Sequence, residues 1–228
     1  MKLFLAFTLF IGMISSSFAE EQTGEQLLAF VRSKLPDRPL ELSGSLKVKT
    51  KKGFTKSRQP VKMVLRWGEN PPTAQYLIGK ESLKISWKKG VPSYQFTNPK
   101  IKAEDVIPKT GLSWSELSFS ALWWSNAQLK GEGKKINRAC YIVDVPVPNS
   151  TDVMRLWIEK KMGMLLETQT RNAQGKLLRR MKIKSIKKLD GLWIAKNLEL
   201  KDYKTGNKTL LEISDLKWLD SPKEIPAT

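Results

Sequence analysis

The sequence predicts an α+β fold that is mainly β, with antiparallel strands and two helices packed against the sheet. Apolar and charged residues alternate along most of the chain, which is the pattern of strands with one buried and one solvated face. Glycine-containing turns separate these segments, as they do in hairpins. The roughly nine to eleven strands that result are close to the number at which a sheet curls. We therefore expect the concave face to close on itself or around the helices.

Residues 1–19 are predicted to be a cleaved signal peptide. Lys2 provides the positive start, residues 3–14 form a short apolar run, and Ser17 and Ala19 are the small residues that a signal peptidase reads. Cleavage is expected after Ala19, which leaves residues 20–228 as a single exported, soluble domain. No later run reaches the ~20 apolar residues of a membrane-spanning helix. The residue directly after the expected cleavage site is Glu20 and not cysteine, so nothing indicates acylation there.

The chain is strongly basic. Its 40 lysine and arginine residues outnumber 22 acidic residues and give a formal charge of +18, a field that favours anionic partners. The lysines are spread through nearly every predicted strand. Solvated strand faces therefore explain them better than a nucleic-acid patch does, and we expect no nucleic acid as a partner.

The absence of histidine restricts the chemistry. It excludes Ser-His-Asp and Cys-His nucleophiles and histidine-ligated metal sites. A carboxylate hydrolase stays open, since pairs such as Glu104 and Asp105 exist, but acidic residues in a loop are ordinarily solvated. We expect a protein that is not an enzyme and has neither a cofactor nor a metal site.

Cys140 is the only cysteine, which excludes an intramolecular disulfide. The fold must then depend on burial of apolar surface. We interpret Cys140 as a small buried residue of a strand. The alternative, a reactive thiol, has no partner residue in the sequence to support it.

The first element after the leader is an amphipathic helix of about three turns. Thr23 and Gln26 have the spacing of a capping box, and Pro36 is expected to stop the helix. Its apolar residues recur at helical intervals and are Leu27, Leu28, Val31 and Leu35.

Residues 40–97 predict a meander of antiparallel strands. The first strand, around residues 42–48, is expected to be interrupted at Gly44, and prolines at 71 and 72 mark a clear turn. Later strands place apolar residues on one face and lysines on the other. These apolar faces are Val61, Met63, Leu65 and Trp67 in one strand and Leu83, Ile85 and Trp87 in another.

The alternation lapses over residues 98–109, which predicts a loop. A second capping box, formed by Ser113 and Glu116, then begins a second helix. Residues at helical spacing in it are Trp114, Leu117, Ala121 and Trp124, and Phe119, Leu122 and Trp123 widen its apolar surface. A helix this aromatic needs an apolar surface to lie against.

The remainder of the chain predicts strands again. One runs over residues 134–145, and a second meander occupies residues 153–220, followed by a frayed tail. The segments of this meander are 153–160, 164–171, 176–187, 193–203 and 208–218. Its apolar face must cover something.

Eight tryptophans and seven methionines leave two interpretations of the interior open. Methionine fills irregular space and suits adaptable binding surfaces, while tryptophan is seldom fully buried. They either fill a solid core or line a cavity that accepts acyl chains. The residues that we predict to line such a cavity are Met63, Leu65, Trp67, Ile85, Trp87, Trp123, Trp124, Leu156 and Ile158.

Several short patterns occur in a familiar order. They are GLSWSEL at 111–117, CYIVD at 140–144, LWIEK at 156–160, GMLL at 163–166, LWI at 192–194 and TGNKT at 205–209. This order resembles the outer-membrane lipoprotein-sorting proteins of the LolA/LolB-like superfamily, especially its divergent LolA-like branch. The resemblance implies an open, incomplete antiparallel β-barrel closed by helices. It also implies a hydrophobic cavity for the acyl chains of lipoproteins or other lipids, without cofactor or catalysis.

Our first hypothesis is a soluble, monomeric periplasmic carrier of lipid or lipoprotein acyl chains, moving them towards the outer membrane. Its basic surface would meet anionic head groups or a membrane-associated donor or acceptor. The alternative is a non-enzymatic binding or scaffold module whose basic face binds anionic membrane surface or acidic polymer. A carboxylate hydrolase is the weakest hypothesis.

Overall fold

The computed structural model describes residues 22–189 and 192–219. The expected signal peptide, its cleavage site and the expected tail lie outside the described residues. No helix in the described part of the chain combines the length and apolar character that crossing a membrane requires.

One antiparallel sheet of twelve strands dominates the described residues. The strands are β1 (Leu40–Lys49), β2 (Thr55–Arg66), β3 (Thr73–Ile78), β4 (Glu81–Lys88), β5 (Val91–Phe96), β6 (Gln128–Lys135), β7 (Arg138–Pro146), β8 (Val153–Glu159), β9 (Leu165–Arg171), β10 (Leu177–Leu189), β11 (Leu192–Asp202) and β12 (Lys208–Trp218). Their order is β5-β4-β3-β2-β1-β12-β11-β10-β9-β8-β7-β6. The sheet is therefore two meanders joined at β1 and β12, and its edges, β5 and β6, do not pair with each other. Residues of both meanders share one core cluster, so the sheet curves around its apolar face.

The join between β1 and β12 differs from the sequence expectation. Gly44 was expected to interrupt the first strand, but β1 continues through it with a bulge between Ser43 and Gly44. A Cβ atom at Gly44 would lie 2.1 Å from the carbonyl oxygen of Glu212. Glycine is required there because the two backbones approach closely, which is a common role of glycine in a strand.

The strand expected over residues 134–145 is in fact two strands. β6 ends at Lys135, β7 begins at Arg138, and Ile136 and Asn137 between them both have positive φ. Two consecutive positive φ values are the signature of a type I′ hairpin turn. Ile136, 67% exposed, is an unusual residue for that turn. Because isoleucine is not a typical residue of such a turn, the sequence did not indicate the hairpin.

The first helix, α1 (Gly24–Arg32), begins where the capping box predicts. The Thr23 amide donates to Gln26 Oε1 over 2.7 Å, and the Gln26 amide donates to Thr23 Oγ1 over 3.2 Å. The helix ends at Arg32, before the expected stop at Pro36. Cys140 is fully buried, as expected, and burial raises the pKa of its thiol.

The second helix is much shorter than expected. The capping box of Ser113 and Glu116 is present, but α2 (Trp114–Leu117) is followed by Phe119 in a left-handed conformation and by a 3-10 turn, Ser120–Trp123. The continuous helix expected to reach Trp124 was wrong. The break allows Trp123 to stack on Trp87 of β4, with ring centroids 4.4 Å apart.

The helices occupy the gap between the edge strands. The 3-10 turn contacts β5, while α1 contacts β6, β7 and the 3-10 turn. The Ala127 amide donates to Glu25 Oε1 over 2.8 Å, and the guanidinium of Arg32 donates to the Leu122 carbonyl oxygen. A Cβ atom on Gly24 would lie 2.4 Å from the Ala127 carbonyl oxygen, so α1 approaches the start of β6 closely.

Replacing Gly44 tests the join between the two meanders. Gly44→Ala is expected to lower the free energy of unfolding by about 1–3 kcal/mol, because the new methyl group meets the Glu212 carbonyl oxygen. Urea unfolding measures the change, and Ser45→Ala, one residue along the strand, is the control. An unchanged midpoint for Gly44→Ala would contradict the close backbone approach.

Candidate functional site

An apolar cavity of about 300 Å³ lies between the concave face of the sheet and the helical segments. One side of it comes from the sheet, mainly from Leu40, Leu42, Met63, Leu65, Tyr76, Ile183, Leu198, Leu211 and Ile213. The opposite side comes from residues 113–124, which we call the helical wall. Its lining members are Leu117, Ser118, Phe119, Leu122 and Trp123.

The cavity opens to solvent at one end. We call the partly exposed lining residues there the rim, and they are Lys34, Leu35, Pro36, Met162, Met164, Trp193, Ile194 and Ala195. They come from the segment after α1, the β8–β9 turn and the start of β11. Trp193, 42% exposed, is the most prominent aromatic side chain of the rim.

Four of the predicted lining residues lie in the cavity. Met63 and Leu65 of β2 belong to its sheet side, Trp67 follows β2, and Trp123 belongs to the helical wall. The alternation of β2 predicted which face was apolar, and this face is the one that meets the cavity.

The other five predicted residues do not line the cavity. Ile85 and Trp87 are buried in the main core, where Trp87 stacks on Trp123. Leu156 and Ile158 of β8 belong to a second core cluster, and Trp124 packs against its margin. This second cluster contains Leu27, Leu28 and Val31 of α1, so the helix fills the concave face over β7 and β8.

Sequence reasoning missed much of the lining. Leu211 and Ile213 of β12 follow the period-2 pattern and were identifiable as an apolar face, but nothing local distinguished them from ordinary core. Met162 and Met164 were assigned to a turn and its following strand. Their position at the rim depends on where the β8–β9 turn meets the segment after α1.

An ion pair between a buried carboxylate and a partly exposed arginine anchors the helical wall to the sheet. Arg179 of β10 donates from its Nε to Glu116 Oε1 over 2.6 Å and from a terminal nitrogen to Glu116 Oε2 over 2.7 Å. The same carboxylate accepts the Ser113 amide over 2.9 Å as part of the capping box. Glu116 is only 8% exposed, and a carboxylate so buried requires such partners.

Further bonds extend this anchor. Arg179 also donates to the Gly111 carbonyl oxygen over 2.6 Å and to Asp202 over 3.3 Å. The Thr209 hydroxyl of β12 donates to the Thr110 carbonyl oxygen over 2.6 Å. Thr110 and Gly111, which precede α2, are thus held against β12 and β10.

The other end of the helical wall is held near β5. The Tyr94 hydroxyl donates to Ser120 Oγ over 2.8 Å. Burial raises the pKa of Tyr94, so its hydroxyl stays protonated and available as a donor. Together with the Trp87–Trp123 stack, this bond places the 3-10 turn over the first meander.

The surroundings of the rim are basic. Lys34 of the rim is exposed, and so are Lys161, Lys187 and Lys188 beside it. The Lys188 ammonium lies 5.8 Å from the ring centroid of Trp193, and that of Lys34 lies 5.2 Å from Phe30. The nearby carboxylate of Glu159 is buried and accepts the amides of Lys161 and Met162. The rim therefore combines positive charge with aromatic and thioether side chains.

Solved structures share this architecture. A putative outer membrane lipoprotein-sorting protein domain from Vibrio parahaemolyticus has a TM-score of 0.72 at 14% identity, with 88% of this chain and 94% of that chain covered. A DUF1329 family protein from Desulfovibrio piger has a TM-score of 0.70 at 11% identity, with 88% and 93% covered. A LolA superfamily protein from Nitrosomonas europaea has a TM-score of 0.55 at 12% identity, with 88% and 95% covered. The predicted LolA-like fold, an open β-barrel-like α+β fold, is confirmed.

A family model described as "Uncharacterized protein" matches residues 112–225, half of the chain. The chain belongs to this family. The matched residues include the helical wall and the strands from β6 to β12, and so most of the anchor around Arg179. No curated protein matched the chain.

Removing Arg179 tests the anchor of this LolA-like fold. Arg179→Ala leaves the Glu116 carboxylate buried without its main partner, which is expected to cost about 3 kcal/mol of unfolding free energy. Arg180→Ala, the adjacent change, removes a guanidinium that lies over the Tyr203 ring and serves as the control. Chemical denaturation compares the two variants, and equal midpoints would contradict the role of the ion pair.

Proposed function

We propose that this protein is a non-enzymatic periplasmic carrier that holds the acyl chains of lipids or lipoproteins in its cavity and moves them towards the outer membrane. The observation that carries the proposal is the open apolar cavity of about 300 Å³ under a LolA-like sheet. Small-molecule sites in proteins begin at roughly this volume. The lipoprotein-sorting and LolA superfamily proteins of the same fold support the same function.

The chemistry of the lining suits hydrocarbon. Each methylene group that moves from water into an apolar cavity contributes ~0.8 kcal/mol. Methionine side chains adapt to irregular ligands, and Met63, Met162 and Met164 all line the cavity. Binding then depends on burial of the chain, and salt weakens it little.

The charge of the rim gives the carrier a preference for anionic head groups. Exposed lysines attract such groups over about a Debye length, ~8 Å at physiological ionic strength. Their contribution is mainly to the rate of encounter, and it falls as salt increases. Trp193 beside Lys188 supplies an amphipathic ring of the kind found at membrane interfaces.

The scaffold alternative has less support. On the outer face, Glu41 pairs with Lys62 at 3.3 Å and with Lys217 at 3.0 Å, and Glu199 pairs with Lys182 at 3.3 Å. A lysine that already pairs with a carboxylate attracts an anion less strongly than an unpaired lysine does. The outer face of the sheet should therefore bind anions more weakly than the net charge of the chain indicates. The cavity, by contrast, is a feature that a scaffold does not need.

Blocking the rim tests the carrier function. Wild-type protein is expected to take up fatty acid or diacyl phospholipid, detected as added mass by native mass spectrometry, and to retain it at high salt. Ala195→Trp should fill the opening and weaken uptake about tenfold, or about 1.4 kcal/mol. Ala139→Trp, on the exposed face of β7, is the matched control. A wild-type protein that takes up no added lipid would overturn the proposal.

Charge reversal at the rim tests the steering of head groups. Lys187→Glu with Lys188→Glu is expected to slow acquisition of lipid from anionic vesicles several-fold at low salt, and the difference should shrink as salt screens the charges. Lys176→Glu with Lys204→Glu changes the same charge at the far ends of β10 and β11 and serves as the control. Stopped-flow transfer of a fluorescent lipid measures the rates. Equal slowing in both double variants would show that net charge, and not the rim, governs encounter.

A further inference from the structure

Tyr76 is a polar residue in the apolar lining. It lies on β3, is 3% exposed and lines the cavity. Its hydroxyl makes no hydrogen bond within residues 22–189 and 192–219, and its oxygen is not fully enclosed by protein atoms, so it is accessible from the cavity. Tyr94 provides the contrast, since its hydroxyl donates to Ser120.

The surroundings of Tyr76 offer its hydroxyl nothing in exchange for water. Met63 of β2 and Leu83 of β4 lie opposite it in the two ladders. Its inward neighbours on β3 are Ala74 and Ile78, and all four residues are buried and apolar. Because the hydroxyl gains no bond from these residues, phenylalanine would serve a purely structural role at this position equally well.

The hydroxyl of Tyr76 can act only as a neutral donor or acceptor. Burial raises its pKa, and the neighbouring Tyr94 raises it further, so the phenolate does not form near neutral pH. The group that pairs with it must therefore enter the cavity with its own hydrogen-bonding atom.

Other polar groups of the lining distinguish Tyr76 further. Ser118 is already engaged, because its hydroxyl donates to the Trp114 carbonyl oxygen over 2.8 Å. Trp67 lines the cavity with a buried indole nitrogen that has no partner among the described residues. Trp87 and Trp114, outside the lining, leave theirs unpaired too, so an unpaired indole does not mark the cavity by itself.

We propose that Tyr76 selects the cargo by donating a hydrogen bond to a carbonyl oxygen of the bound acyl group, either an ester or a carboxyl. Given the proposed carrier function, the cavity then prefers acyl compounds over plain hydrocarbons of equal length. The preference arises because an acyl oxygen pairs with the hydroxyl, whereas a hydrocarbon that displaces water from the cavity leaves the hydroxyl without a partner. Tyr76 is thus a specificity-determining residue.

The test compares three ligands with the same chain length on full-length mature protein. Palmitate, methyl palmitate and hexadecane each compete with the fluorescent probe N-phenyl-1-naphthylamine. Tyr76→Phe is expected to weaken binding of the acyl ligands about tenfold and to leave hexadecane unchanged. Loss confined to palmitate assigns the contact to a free carboxyl, and loss for both acyl ligands assigns it to the carbonyl that they share. Tyr141→Phe, whose ring contacts Lys160 outside the cavity, is the control.

Stability of the unliganded protein supplies the second measurement. Tyr76→Phe should leave the melting temperature unchanged, because the hydroxyl makes no bond within the described residues. Tyr94→Phe should lower it, because that variant loses the bond to Ser120. A lower melting temperature for Tyr76→Phe, or equal loss of all three ligands, would overturn the role of Tyr76 alone. Wild-type protein that binds none of the ligands would overturn the carrier function itself.

Discussion

The ion pair between the buried carboxylate of Glu116 and Arg179 is the interaction on which the cavity depends. One carboxylate caps α2 and accepts two bonds from an arginine of β10, so the start of the helical wall and the second meander are held by the same group. Such a pair is worth little as net stability but costs much to break. Its effect is geometric, since it keeps the helical wall at a set distance from the sheet.

That distance matters because the sheet is open. In the described part of the chain, β5 and β6 are edge strands that do not pair with each other, and the helices lie between them without completing the ladder. As a consequence, one part of the concave face is covered by a solid core and another part lines a cavity. Over β7 and β8, α1 packs Leu27 and Leu28 against Leu156 and Ile158 and leaves a solid core. Under the central strands, the helical wall stands back, and Met63, Tyr76 and Ile213 face a cavity.

The comparison of β2 with β8 explains why the site was only partly predictable. Both strands carry an alternating apolar face, and both faces were correctly expected to point inwards. Met63 and Leu65 nevertheless line the cavity, while Leu156 and Ile158 are core. Period-2 alternation reports which side of a strand is buried, but it contains nothing about the element that lies opposite. The break of the second helix at Phe119 has the same origin, because local spacing favoured a helix and the packing of Trp123 on Trp87 prevailed.

The sequence by itself determined the elements and their class. Alternation, turn residues and two capping boxes specify antiparallel strands and helix starts because these signals act over a few residues. Only the tertiary structure decided that the interior is part core and part cavity. That outcome depends on contacts between residues far apart in the chain, such as Glu116 with Arg179 and Arg32 with Leu122. For the same reason, Tyr76 looks in the sequence like any other inward residue of β3, although it lines the cavity.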